Sequence, residues 1–244
     1  MAVRKKQTVL GTVITIVIVA AIIWMKVQET RDSQRREGAL RDDDITIPQP
    51  GESEQKRYGQ DKLLSSVKLT SSRFEVIKGC SLIDHRGNDG DSFHVKTPTG
   101  KEEIRLYFTD APESAARRYG GNENNYKRIA DQGRSLGGLN QRETTQVGVE
   151  AKLFAKKLLE ERNFTIATTR EKVYRSHRIY AYVIVRYQGQ NRYLHELLVL
   201  RGLARIHTKS MTLPDSTARN HQLSRLKKLE QYAKSKNYGA WGMR

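Results

Sequence analysis

The sequence lacks the residues from which several common kinds of site are built. Cys80 is the single cysteine among 244 residues, which excludes an internal disulfide, a thiolate zinc centre and a dithiol redox pair. Histidines 85, 94, 195, 207 and 221 show no metal-ligand spacing. The acidic run over residues 84–91 lacks the oxygen spacing and glycine position of an EF-hand loop. These absences direct attention to the remaining carboxylates.

Acidic residues are scarce relative to basic ones. The chain holds 27 Asp and Glu against 44 Lys and Arg, a net charge of +17. Residues 67–244 contain 33 of the basic and 18 of the acidic residues, so this part alone carries +15. A basic domain indicates a polyanionic partner, because neutralising phosphates releases their counterions. Solubility and attraction to anionic lipid are the alternatives.

A long apolar run occurs only near the N-terminus. Residues 8–25 are almost uninterrupted in their apolar character, and about 18 such residues approach the minimum for crossing a hydrocarbon core of roughly 30 Å. The sequence therefore predicts a basic tail at 1–7 and a single-pass membrane anchor at 8–26, inserted in the lipid bilayer. A cleaved signal peptide is the alternative, but small residues would then follow the run instead of Trp24-Met25-Lys26.

The orientation of the predicted anchor is less well defined, because basic residues flank it on both sides. We expect the domain that follows to lie on the extracytoplasmic side. Residues 27–70 combine mixed charges with Pro48, Pro50 and Gly51 and show no sustained apolar period. Such a segment buries too little surface to offset its ordering entropy, so it is predicted to be a flexible tether.

Residues 71–244 have the pattern of a folded domain. Closely spaced strands are predicted at 74–77, 81–84, 92–96 and 103–108. An amphipathic helix at 149–162 follows, then strands at 164–169 and 178–186, a short helix ending at Gly202, and a last helix at about 216–238 capped by Asp215 or Ser216. This order predicts an α+β domain, a five-stranded β-barrel with about three helices.

Two short acidic turns stand out within this framework. They are Asp89-Gly90-Asp91 and Asp110-Ala111-Pro112-Glu113, and Arg105 lies between them. The flanking residues are β-like, which places the acids at strand ends, where a rigid scaffold can hold a cation. On a basic chain this combination indicates a hard-metal site for phosphodiesters. Taken one at a time, such acids are more often solvated or capping residues.

Six segments in order resemble the staphylococcal nuclease-like family, whose domain is an OB-fold barrel, and the resemblance covers about residues 74–241. The segments are Asp89-Gly90-Asp91, Arg105-Leu106, Asp110-Ala111-Pro112-Glu113, Gly148-Val149-Glu150-Ala151, Arg178 before Ala181-Tyr182, and Leu200-Arg201-Gly202-Leu203-Ala204. The resemblance implies a calcium site. Asp91 and Asp110 would bind the ion directly with the backbone carbonyl of Ala111, and Asp89 would act through water. Calcium prefers such oxygen ligands.

The resemblance also implies a division of catalytic roles. Glu113 would be the general base that activates water, and Arg105 and Arg178 would bind the phosphate and stabilise its transition-state charge. The implied function is that of a membrane-anchored, calcium-dependent nuclease acting on DNA and also on RNA. The alternative is a non-catalytic, membrane-tethered nucleic-acid-binding module of the same fold. The sequence identifies no protein partner.

The chain also departs from the family pattern. Residues 114–147 form a long basic insertion, with a short helix predicted at 125–134; it is either a solvated loop or a flap that contacts nucleic acid. Arg117 and Arg118 in this insertion, and Arg175 before Arg178, are candidate substrate contacts. The stretch after Gly202 lacks the tyrosines on which the family commonly stacks a base.

Overall fold

A computed structural model of the chain describes residues 63–120 and 123–243. The predicted tail at 1–7, the predicted anchor at 8–26 and most of the predicted tether at 27–70 lie outside these residues. Among the helices of 63–120 and 123–243, none combines the length and apolar character that crossing a bilayer requires. Leu64 and Ser65, near the end of the predicted tether, are buried, and the Ser65 backbone N–H donates to Glu196 Oε2 at 2.8 Å.

The described residues form ten strands and four α-helices, followed by a 3-10 helix at Gly239–Gly242. The strands are β1 Glu75–Leu82, β2 Ser92–Thr97, β3 Gly100–Leu106, β4 Thr109–Asp110, β5 Arg118–Gly120, β6 Glu123–Asn124, β7 Phe164–Lys172, β8 Ile179–Tyr187, β9 Gln190–Tyr193 and β10 Arg205–Ile206. The helices are α1 Tyr126–Ser135, α2 Gln141–Glu161, α3 Leu194–Leu200 and α4 Arg219–Ser235.

Five of the strands close into a barrel. β3, β2, β1, β7 and β8 pair in that order through antiparallel ladders, and a parallel pairing of β3 with β8 closes the ring. β9 extends β8 as a hairpin. The prediction of an α+β domain with a five-stranded barrel is confirmed. There are four α-helices among the described residues instead of about three, and the additional one, α1, confirms the short helix predicted at 125–134 in the insertion.

The barrel core is rich in aromatic rings. Tyr182 on β8 is fully buried, and its hydroxyl donates to the Met211 carbonyl at 3.0 Å. Its ring lies 4.9 Å from that of Tyr107 and 5.8 Å from that of Tyr193. A buried phenol is stable here because its ring packs while its hydroxyl keeps a partner.

Several element boundaries differ from the sequence prediction. The two strands predicted at 74–77 and 81–84 are one strand, β1, whose register shifts between Ile77 and Cys80 beside Gly79 at φ 72°. Glycine adopts such a backbone angle without the steric cost of a side chain. β1 is therefore one strand with a bulge at the point where the apolar pattern predicts a break between two strands.

Helix α2 begins at Gln141, eight residues before the predicted start. Asn140 forms a capping box: its side chain accepts from the Glu143 N–H at 3.0 Å, while Glu143 Oε2 accepts from the Asn140 N–H at 2.8 Å. This reciprocal cap satisfies two otherwise unpaired donors and extends the helix through a polar stretch. The stretch preceding the apolar stripe is therefore part of the same helix.

The predicted N-cap of the last helix is wrong. α4 begins at Arg219, with Ala218 as N-cap and no side-chain cap. Ser216 has a φ of 70°, which is incompatible with a helix start, and Asp215 Oδ1 accepts from the Thr217 N–H at 2.9 Å within the preceding turn. The turn-forming tendency of Asp215 is thus used for an Asx turn.

Candidate active site

Strand pairing brings the two acidic turns to one end of the barrel. β2 begins at Ser92, directly after the first turn, and Ser92 pairs with Arg105 near the end of β3. The second turn starts at Asp110 on β4, which pairs with Arg205 on β10. Strand register therefore places Asp91 next to Arg105, and Asp110 opposite Arg205.

Arg105 joins the two aspartates. Its Nη1 lies 2.8 Å from Asp91 Oδ1, and its Nη2 lies 2.5 Å from Asp110 Oδ1. The arginine side chain is 9% exposed and both carboxylates are 1% exposed. A planar guanidinium suits this position because its fork reaches two carboxylates at once.

Asp110 receives more positive charge than any other predicted site residue. Besides Arg105, its Oδ1 accepts from Arg128 Nη2 at 2.7 Å, and its Oδ2 accepts from Arg205 Nε at 2.8 Å. Gln132 Nε2 donates to the same Oδ2 at 3.0 Å. Both oxygens of this buried carboxylate are thus fully engaged.

The two aspartates differ in how readily they ionise. Burial raises the pKa of the Asp91 carboxyl well above its usual range, and the Arg105 guanidinium offsets only part of this effect. Burial also opposes ionisation of Asp110, but Arg128 and Arg105, with Gln132 and Arg205, together lower its pKa. Asp110 is therefore the firmly charged member of the pair.

Asp89 and Ala111 have backbone roles in the described state. Asp89 Oδ1 accepts from the N–H groups of Asp91 and Ser92, at 3.1 and 2.7 Å, which fixes the first turn. The Ala111 N–H donates to Asp91 Oδ2 at 2.6 Å, so the two turns are tied directly. The Ala111 carbonyl, the third predicted ion ligand, accepts from Gln132 Nε2 at 3.0 Å.

Glu113 lies at the more open edge of the cluster. Its side chain is 27% exposed; Oε1 accepts from Arg128 Nε at 2.7 Å and Oε2 from Asn125 Nδ2 at 3.3 Å. Its backbone N–H donates to Gln132 Oε1 at 3.1 Å. The predicted general base is thus held by the insertion and remains accessible to water.

Arg178 approaches the cluster from the turn before β8. Its Nη1 donates to Ser92 Oγ at 3.3 Å, and Arg105 Nη1 donates to the same oxygen at 3.1 Å. Its Nε lies 3.9 Å from Glu103 Oε1, and its side chain is 30% exposed. The two arginines predicted to bind phosphate therefore converge on one serine.

The remaining predicted substrate contacts do not touch this cluster. Arg175 is exposed at φ 52°, with its guanidinium 5.1 Å from the centre of the Tyr174 ring. Arg117 and Arg118 are exposed in the β5–β6 region, where Arg118 Nε donates to the Tyr126 hydroxyl at 3.2 Å. These three arginines lie on the surface of the described domain, where the side-chain contacts of Arg118 and Arg175 are with tyrosines and not with the carboxylates of the cluster.

Sequence reasoning missed three residues of the cluster. Arg128 and Gln132 come from α1 in the insertion, and Arg205 comes from β10. The spacing of Arg128 and Gln132, four residues apart on a predicted helix, indicates that they share a face. That face turns towards Asp110, which no local pattern reveals. Arg205 lies in the stretch after Gly202, which lacks the tyrosines that the resemblance leads one to expect.

The donor types fit a hard cation. Two carboxylates and one carbonyl converge, and these oxygens are the kind that calcium prefers. Within residues 63–120 and 123–243, however, no set of three or more His, Cys, Asp or Glu side chains could hold a metal ion. The predicted ligand oxygens already accept bonds from guanidinium, amide and backbone N–H groups, so a cation would have to replace some of these donors.

A comparison with known families agrees with the fold. The model of a family described as staphylococcal nuclease homologue matches residues 103–243, more than half of the 244 residues. The matched range contains Arg105, Asp110, Glu113 and Arg178, and it begins after Asp91. No curated protein matches the chain.

Proposed function

Because the chain belongs to the staphylococcal nuclease homologue family, we propose that it is a nuclease that hydrolyses phosphodiester bonds of DNA and RNA in a calcium-dependent reaction. A domain of this family indicates a nuclease or a nucleic-acid-binding protein. The observation that favours catalysis is the cluster in which Arg105 joins Asp91 to Asp110 and Arg128 joins Asp110 to Glu113. A protein that only binds phosphate has no need of three carboxylates beside its arginines.

The proposed reaction assigns one task to each part of the cluster. Glu113, partly exposed, takes a proton from water as the water oxygen forms a bond to phosphorus and the ester P–O bond breaks. The leaving alkoxide oxygen takes a proton from solvent and departs as the alcohol. Arg105 and Arg178 both donate to Ser92 Oγ. From these positions the two guanidinium groups stabilise the negative charge that grows on the phosphoryl oxygens. Asp91 and Asp110, with the Ala111 carbonyl, would hold calcium, which supplies positive charge at the reacting phosphate.

Placement at a membrane is part of the proposal. The apolar run at 8–26 would anchor the chain in the bilayer, and the part of the 27–70 segment before the buried Leu64 would let the domain reach nucleic acid. We propose that the domain lies on the extracytoplasmic side. Protease accessibility in intact cells tests this: cleavage without permeabilisation is expected, and protection of the domain would contradict it.

A second candidate function is nucleic-acid binding without cleavage. The observation that favours it is the pairing of Arg128 with both Asp110 and Glu113, which occupies the proposed base and a proposed ion ligand. Combined with the net charge of +15 on residues 67–244, this arrangement also suits a site that holds phosphate only.

Cleavage assays separate the two functions. The full-length chain, in mild detergent, is incubated with single-stranded DNA or RNA, with calcium or with a calcium chelator. We expect calcium-dependent cleavage that falls about 100- to 10,000-fold in Glu113→Gln and drops strongly in Arg178→Ala. Glu160→Gln, a change at an exposed carboxylate on α2, is the matched control. Tight, salt-sensitive binding with no cleavage would establish the binding function instead.

A further inference from the structure

Arg128 occupies the centre of the cluster although it belongs to the insertion. Its Nη2 lies 2.7 Å from Asp110 Oδ1, and its Nε lies 2.7 Å from Glu113 Oε1. One guanidinium therefore bridges a proposed ion ligand and the proposed general base.

Gln132 closes the same side one helical turn further along α1. It is fully buried; Nε2 donates to Asp110 Oδ2 and to the Ala111 carbonyl, each at 3.0 Å. Its Oε1 accepts from the Glu113 N–H at 3.1 Å. Since both ends of this amide are satisfied, Gln132 fixes the loop at 110–113 and is unsuited to movement.

The Asp110 and Glu113 carboxylates are already compensated without a metal ion. Asp110 contacts three guanidinium groups, those of Arg105, Arg128 and Arg205, and Glu113 contacts that of Arg128. Adding a divalent cation to this set would place two uncompensated charges in a largely buried site, which is strongly unfavourable. A cation can enter only if one guanidinium leaves.

The three guanidinium groups differ in burial, which indicates the one that can leave the cluster most readily. The side chains of Arg105 and Arg205 are 9% and 12% exposed, whereas that of Arg128 is 43% exposed. Arg205 is held further by bonds from its Nη1 to the Asp131 carbonyl and to Ser135 Oγ, at 3.2 and 3.1 Å. Arg128 can rotate into solvent more readily than the other two, because its guanidinium is already partly hydrated.

We propose that Arg128 is a latch of the ion site: it occupies the cation position when calcium is absent and must release Asp110 and Glu113 before calcium binds. The inference rests on the proposed calcium-dependent function. A phosphate of the incoming nucleic acid is the natural new partner for the released guanidinium. Nucleic acid and calcium then favour each other's binding, since each removes the competitor of the other.

Calcium binding to the free protein tests the latch without relying on activity. Calorimetric titration of the full-length chain with calcium alone is expected to give weak binding for wild type and binding at least about tenfold tighter for Arg128→Gln. Arg134→Gln is the matched control: it removes the same charge from the same helix at a side chain that is 75% exposed and pairs only with Asp131. Its calcium affinity should stay close to that of wild type.

The outcomes are distinct. Equal calcium affinity in Arg128→Gln and Arg134→Gln overturns the latch, and so does a complete lack of binding in every variant. If Arg128→Gln fails to fold by circular dichroism, Arg128→Lys decides, because one ammonium cannot bridge both carboxylates as the guanidinium does; an unchanged affinity there also overturns the proposal. If Arg128→Gln binds calcium more tightly but no variant cleaves nucleic acid, the latch is supported and the nuclease function is refuted. If the protein cleaves nucleic acid but Arg128→Gln has the calcium affinity of wild type, the nuclease function is supported and the latch is refuted.

Discussion

Two arginines predicted for the same task, Arg105 and Arg178, stand in different surroundings. Arg105 is buried and bridges two buried carboxylates, whereas Arg178 is 30% exposed and makes longer contacts. The first therefore contributes to stability as well as to the proposed chemistry. Loss of activity in a variant of Arg105 can therefore result from lower stability or from lost phosphate binding, whereas in a variant of Arg178 it results from lost phosphate binding.

Replacing Arg105 by alanine is expected to destabilise the domain by about 3–5 kcal/mol, since it leaves a buried charge pair without its partner. Arg178→Ala should change the free energy of unfolding by less than about 1 kcal/mol, as is usual for exposed contacts. Urea denaturation of both variants measures the difference. Similar stabilities would show that the Asp91–Arg105–Asp110 bridge contributes little to the fold.

Through His195, the stability of the buried core depends on pH. Burial lowers the pKa of this histidine to about 3, whereas an unfolded chain gives about 6.5. Between these two pKa values the unfolded state binds one proton more than the folded state. The contribution of His195 to the free energy of unfolding is therefore fully present above pH 6.5 and declines as pH falls towards 3. The contribution of this residue reaches about 1.4 kcal/mol per pH unit within that window.

The variant His195→Gln removes this titration. We expect its free energy of unfolding, measured in urea from pH 7 to pH 4.5, to decline less steeply than that of wild type. His221→Gln, which changes an exposed histidine, controls for loss of an imidazole elsewhere on the domain. Parallel curves for wild type and His195→Gln would contradict the assignment.

Among the elements, helix α2 positions the second acidic turn by close backbone contact. A Cβ atom at Gly148 would lie 2.4 Å from the Glu113 carbonyl oxygen and 2.6 Å from that of Pro112. In the first turn, a Cβ at Gly90 would lie 2.6 Å from Ala111 Cβ. These distances give a physical reason for the two glycines in the motifs that led to the family.

Gly148→Ala is therefore expected to push the 112–113 backbone away from α2 and to misplace Glu113. A displacement of about 1 Å at a catalytic group costs about 100-fold in rate, so cleavage should fall by that order although alanine favours helices. Lys157→Ala, at an exposed position of the same helix, is the control. Unchanged kcat/KM in Gly148→Ala would show that the turn tolerates the added carbon.

At the scale of the whole molecule, the excess of basic residues governs how strongly the domain attracts phosphate. Residues 67–244 carry +15, and each phosphate neutralised on single-stranded DNA contributes about −0.7 to the slope of log affinity against log salt. The exposed arginines of the insertion, Arg117 and Arg118, lie in the segment that directly follows Glu113.

In the Glu113→Gln background, which suppresses cleavage, replacing Arg117 and Arg118 by alanine should make this slope shallower by about 0.7 for each phosphate that the variant no longer neutralises. Fluorescence anisotropy with a single-stranded oligonucleotide over a range of potassium chloride measures it. Lys101→Ala is the control, because Lys101 lies at the β2–β3 turn, at the opposite end of that hairpin from Ser92. An unchanged slope would remove the insertion from the binding surface.

Patterns that act over a few residues determined much of this protein. Apolar alternation predicted the barrel strands, and the order of short motifs placed Asp91, Arg105, Asp110, Glu113 and Arg178 in one site, where the structure brings them together. Helix α2 starts eight residues before the apolar stripe that predicts a helix at 149–162, although the Asn140–Glu143 capping box is itself a local signal. These features depend on neighbouring residues, so a single sequence contains them.

Tertiary structure alone decided what surrounds Asp110. Arg128, Gln132 and Arg205 reach it from 18, 22 and 95 residues away in sequence, through the docking of α1 and the pairing of β4 with β10. The amino-acid composition gives only the contribution of such arginines to the net charge. Whether they face solvent or a buried carboxylate depends on how distant elements pack. In the predicted ion site, that packing pairs Asp110 and Glu113 with guanidinium groups.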